Sequence, residues 1–114
     1  MVTDTKPLMT DIEALVYNWL ERRKIEFEFQ SWLSGGFYEL GGMVVDFRLP
    51  YRGLAFRCMG EYWHRGVEVE GRDLIQREQL AALGYTTVNL WGEDIKNKLN
   101  ETMRLALLGQ EMLR

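Results

Sequence analysis

Leu54-Ala55-Phe56-Arg57-Cys58-Met59 is the stretch on which the fold turns; it is entered from Pro50-Tyr51-Arg52-Gly53 and left at Gly60. A short apolar run with a single charge, bounded by turn residues, reads as a strand covered on both faces. It is therefore expected at the centre of a sheet.

On its N-terminal side, Gly41-Gly42 precedes a second apolar run, Met43-Val44-Val45-Asp46-Phe47, and Ser34-Gly35-Gly36 leads through Phe37 to Leu40. Strands joined by glycine turns predict an antiparallel meander. Earlier still, Ile25, Phe27 and Phe29 alternate with Glu26, Glu28 and Gln30, the period of a half-exposed strand. Thr10 and Glu13 have capping-box spacing, and Ile12, Leu15, Val16, Trp19 and Leu20 repeat helically up to the charged Glu21-Arg22-Arg23-Lys24 end.

On the C-terminal side, a polar loop follows Gly60, and a helix is predicted from about Gly71 to Leu83, closed by Gly84. Thr86 to Trp91 is β-rich, and an intervening helix implies that it returns parallel to the 54–59 strand through a right-handed crossover. A last helix from about Glu93 carries Ile95, Leu99, Met103 and Leu107. The predicted class is α/β, a mixed central sheet flanked by helices in the order α-β-β-β-α-β-α.

The chain of 114 residues has room for one core, and 46% apolar with 27% charged residues is an ordinary globular composition. A single domain over residues 1–114 is expected, with 1–9 as a flexible N-terminus. No apolar run reaches the ~18 residues of a membrane span, and the first residues lack a secretion pattern, which predicts a cytoplasmic protein. Cys58 is the only cysteine, which excludes an internal disulfide and argues for a buried small hydrophobe. The net charge of −3 counts against a broad nucleic-acid footprint, although Arg48, Arg52, Arg57, Arg65 and Arg72 could gather on one face.

The order of elements resembles that of the restriction-endonuclease-like, or PD-(D/E)xK, superfamily. Val45-Asp46-Phe47, Gly60-Glu61-Tyr62-Trp63-His64, Arg72-Asp73, Leu83-Gly84-Tyr85, Val88 and Leu90-Trp91 together resemble, in order and spacing, the very short patch repair endonucleases. The likeness runs from about Asp11 to Ile95. It implies DNA as partner and phosphodiester cleavage with Mg2+, a cation that holds the phosphate and stabilises its developing charge. By the same resemblance the chemistry falls to Glu13, Asp46, His64 and Asp73, with Asp46 and the Cys58 backbone carbonyl as metal ligands. Arg57, Trp63, Arg65 and Arg72 would contact phosphate or DNA.

Each residue also has a plainer reading. Asp46 could bond a turn, Glu13 could serve only the capping box, His64 could stack on Trp63 in a surface loop, and Trp63 could fill core. His64 is the sole histidine, the one side chain that ordinarily titrates near neutrality. The superfamily's central strand carries Glu-x-Lys where this chain has Arg57 and Met59, and Met59 also stands where the repair enzymes have a histidine. Arginine cannot ligate a metal cation, and a thioether is a poor match for Mg2+. Glu61, Glu68 and Glu70 would repel a phosphate backbone. The repair enzymes' structural zinc has no ligands here. The alternative is accordingly a catalytically inactive nuclease-fold module, binding nucleic acid or serving as a structural subunit with protein partners in a larger assembly.

Overall fold

The structure, a computed structural model, describes residues 9–29, 39–40, 43–60 and 67–113, those at 39–40, 43–44, 67–70 and 72 by their backbone. Helix α1 (Asp11–Arg22) is opened by the capping box: Thr10 Oγ1 accepts the Glu13 N–H, and Glu13 Oε1 accepts the Thr10 N–H at 3.0 Å. Strands β1 (Glu28–Phe29), β2 (Glu39–Leu40), β3 (Met43–Val44), β4 (Phe47–Leu49) and β5 (Leu54–Met59) follow. Helix α2 (Val67–Ala82), strand β6 (Thr86–Trp91) and helices α3 (Gly92–Asn97) and α4 (Leu99–Leu107) complete the order.

The main sheet runs β1-β4-β5-β6, antiparallel until β5 and β6 pair in parallel across their full length, and β2 pairs with β3 separately. The apolar 54–59 run is thus an interior strand, with Leu54, Ala55 and Phe56 buried. Its alternation sends Leu54 and Phe56 into the main core with α1, α3 and α4, among Tyr17, Leu20, Phe29, Phe47, Leu90 and Met103. Ala55 faces the other way, toward Leu80 of α2 and Val45. Trp19 Nε1 donates to Asn100 Oδ1 at 2.8 Å and ties α1 to α4. Gly84 closes α2 at φ 92, with Gly84 N–H on Ala81 O and Tyr85 N–H on Leu80 O, the paired bonds of a Schellman end. No described helix is long and apolar enough to cross a membrane.

Three elements differ from the reading of the sequence. The run 43–47 is divided between β3 and β4 by a bend at Asp46. In an unbroken strand Val45 and Phe47 would share a face, yet Val45 packs under α2 and Phe47 packs under α1. The bend at Asp46 reverses the facing. Helix α2 begins at Val67, a turn earlier than expected. The last helix is two helices, because the Lys98 N–H closes α3 on Asp94 O at 2.7 Å and Lys98 leaves helical geometry at φ −141, ψ 50. Ile95 and Met103 are buried on either side of that break.

Candidate active site

Strand β5 outruns its antiparallel neighbour, since pairing with β4 ends at Phe47 opposite Phe56. Cys58, two residues further on, would leave its N–H on that side without a strand partner. Asp46 supplies one: its own N–H donates to Phe56 O at 3.0 Å, and its Oδ2 accepts the Cys58 N–H at 2.7 Å. The bend that reverses the strand thereby aims a carboxylate along the end of β5. An extended residue's N–H and C=O point to the same edge, so the Cys58 carbonyl faces that edge as well.

Glu13 reaches Asp46 from the first turn of α1, close enough for a side-chain hydrogen bond between the two carboxyl groups. Glu13 keeps its capping-box bond to Thr10, so a single side chain holds both roles. Burial is the main force that raises the Asp46 pKa to about 7; the Cys58 N–H opposes it, the charge and hydrogen bond of Glu13 add to it, and the Arg57 charge opposes it. Burial, with Asp46 and Glu13 adding to it, likewise pushes the Cys58 thiol well above its ordinary range. That keeps the cysteine protonated and unreactive.

On the α2 face of the sheet lies a closed circuit of charges. Arg57 Nε donates to Asn89 Oδ1 at 2.8 Å, and Arg57 Nη2 pairs with Asp73. Asp73 also accepts from Arg77 Nε at 2.8 Å, one helical turn along α2. Arg77 Nη2 donates to Glu111 Oε2 at 2.6 Å and its Nη1 to Thr87 O at 3.1 Å, while the same Glu111 oxygen accepts the Asn89 N–H at 2.9 Å. Burial opposes the charge of Asp73, but the hydrogen bonds and charges of Arg57 and Arg77 outweigh it and lower its pKa. Burial similarly opposes the charge of Arg77, and Glu111 and Asp73 more than restore it.

Of the residues proposed from sequence, Glu13, Asp46 and the Cys58 backbone are brought together. Asp73 is joined to Arg57 and Arg77, and its contacts are with these two arginines. Arg57 lies close enough for its charge to act on Asp46, though its Nε and Nη2 are already engaged. His64, Trp63 and Arg65 lie outside the described residues, as do Glu61 and the side chains of Glu68, Glu70 and Arg72. Arg48 pairs with Glu28, and Arg52 is exposed on the turn before β5. Among the described residues no three His, Cys, Asp or Glu side chains gather as a metal cage. Arg77, Asn89 and Glu111 were not singled out by sequence. The spacing of Asp73 and Arg77 at i and i+4 signals their pair, whereas Asn89 and Glu111 meet them only through the tertiary fold.

No protein-family model matches this sequence, and no curated protein matches it. Among solved structures, the catalytic domain of the homing endonuclease I-Bth0305I is similar, with a TM-score of 0.62 over 88% of this chain and 96% of that one, at 20% sequence identity. The chain therefore has the fold of an endonuclease catalytic domain, a mixed four-stranded sheet between helices, with the Glu13–Asp46 pair at the end of its central strand.

Proposed function

We propose that the protein binds DNA and cleaves a phosphodiester bond with the help of a divalent cation, Mg2+ being the hard ion suited to its donors. The observation that carries this reading is the approach of Glu13 and Asp46, two carboxyl groups brought together from separate elements, where burial opposes the ionisation of Asp46. A buried carboxyl pair of this kind costs stability in the free protein, which supports a binding role for it over a structural one. Two carboxylates and an edge-facing carbonyl suit a cation that keeps part of its water shell and takes further oxygens from a phosphate. Asp46, Glu13 and the Cys58 carbonyl would hold it, and when bound it would neutralise charge developing on the phosphate. Asp46 must be ionised for that role, and the Cys58 N–H fixes its orientation. Arg57, on the neighbouring face, holds a phosphate oxygen. His64 is assigned proton transfer to or from the attacking water, by resemblance to the repair endonucleases. Kinship with those enzymes belongs to this proposal too.

The replacement of the usual strand carboxylate and lysine by Arg57 and Met59 favours a second reading, a DNA-binding module that has lost the chemistry. A plasmid-nicking assay in Mg2+ or Mn2+ separates the two. Slow nicking is expected, with Asp46→Asn lowering the rate by on the order of 10²–10³, His64→Ala lowering it strongly, and Arg57→Ala acting on KM more than kcat. Cleavage that survives Asp46→Asn places the chemistry elsewhere. Duplex binding with no cleavage of any DNA form selects the module.

A further inference from the structure

Arg57, Asp73, Arg77, Glu111 and Asn89 form a loop of hydrogen bonds with no free end: Asn89 holds Arg57 through its side chain and Glu111 through its backbone N–H. Four elements meet in it: β5, α2, β6 and the segment that follows α4. An isolated arginine samples many rotamers and must lose that freedom to bind anything. This one is fixed at Nε by Asn89 and at Nη2 by Asp73, and its side chain is only 13% exposed. Nη1 is the guanidinium nitrogen that neither partner takes. Arg57 also adjoins Cys58, whose N–H anchors Asp46, so the constrained guanidinium and the carboxylate pair share one short length of β5.

We propose that Glu111, through Arg77 and Asp73, is a positioning residue for Arg57, holding its guanidinium ready to receive a phosphate oxygen of the DNA backbone at Nη1. The proposal rests on the reading of the protein as a DNA-binding nuclease fold. Its chemistry follows from the alternation of charge. Asp73 alone between two arginines would be drawn toward either; Glu111 draws Arg77 to the far side, and β6 anchors that end at Thr87 O and the Asn89 N–H. Asp73 is then centred, and Arg57 keeps one orientation. Because one Glu111 oxygen accepts both of its bonds, an amide oxygen in its place can accept them as well.

The test is a double-mutant cycle on the full chain, read as the dissociation constant for a labelled mixed-sequence duplex in Ca2+. Glu111→Ala should weaken binding roughly tenfold, the scale of a lost charge-assisted bond, and Glu111→Gln should restore most of it. In an Arg57→Ala background, Glu111→Ala should change nothing further, because coupled residues are non-additive. A purely structural role for Glu111 predicts an equal added loss in that background, and this result overturns the proposal. Loss of binding in Arg57→Ala alone, with Glu111→Ala like wild type, also overturns it and leaves the DNA-binding reading intact. A wild-type protein that binds no duplex overturns both. Hydrogen exchange at the Arg57 Nε–H reads the restraint without DNA: slow exchange in wild type should quicken in Glu111→Ala, and equal rates refute the positioning.

Discussion

An ionised Asp46 costs the folded protein stability at neutral pH. With its folded pKa near 7 against 3.8 for an unperturbed aspartate, the folded state binds a proton that the unfolded state has released. The stabilising contribution is complete below about pH 4 and is lost as pH rises toward 7. Asp46→Asn keeps an oxygen acceptor for the Cys58 N–H and removes the ionisation. Urea unfolding in EDTA should find the variant more stable than wild type at pH 8, by on the order of a few kcal/mol, and nearly equal at pH 4. Parallel stability curves across that range would exclude a raised Asp46. Both carboxylates were legible in the sequence, Glu13 as a capping partner and Asp46 as a polar interruption of an apolar run. Their approach was expected through the resemblance to the repair endonucleases and not from the residue pattern, because it depends on the reversal of facing at Asp46, and an alternation rule reads straight through such a bend.

At the scale of elements, the turn between β4 and β5 decides whether β6 can start beside β5. Gly53 has φ 63, its carbonyl accepts the Thr86 N–H at 2.8 Å, and a Cβ there would lie 2.8 Å from Gly84 O. Gly53→Ala should therefore lower stability by roughly 1–3 kcal/mol. Gly53→Asn, which relieves only the dihedral cost, should recover little, since the carbonyl of Gly84 still blocks it. Thermal melts of the two variants distinguish obstruction from backbone preference, and a fully rescued asparagine variant would show that the dihedral alone mattered. The interior position of 54–59, its parallel partner, the first helix and the Gly84 stop all followed from apolar runs and turn residues. The break at Lys98 did not. Ile95, Leu99 and Met103 hold helical spacing through it, and neither glycine nor proline marks it.

Across the whole molecule, local pattern identified the layers, while the contacts that close them came from residues far apart in sequence. Asp73 and Arg77 are neighbours on one helix, but the completion of their circuit by Asn89 and Glu111 brings the last residues of the described chain against β6. Among the described strands β6 is the outermost on its side of the sheet, and its Thr87 carbonyl and Asn89 N–H are occupied by the side chains of Arg77 and Glu111. An unoccupied outer strand is a template for pairing with another molecule. An ion pair lying across these two groups takes the place that an invading backbone would need, with charges that resist burial in an intermolecular sheet. Two side chains outside the apolar core thereby cover the edge of the sheet. Arg77→Ala combined with Glu111→Ala should show concentration-dependent light scattering under conditions where wild type shows none. Scattering that stays flat in the double variant would mean that the strand is guarded by some other feature.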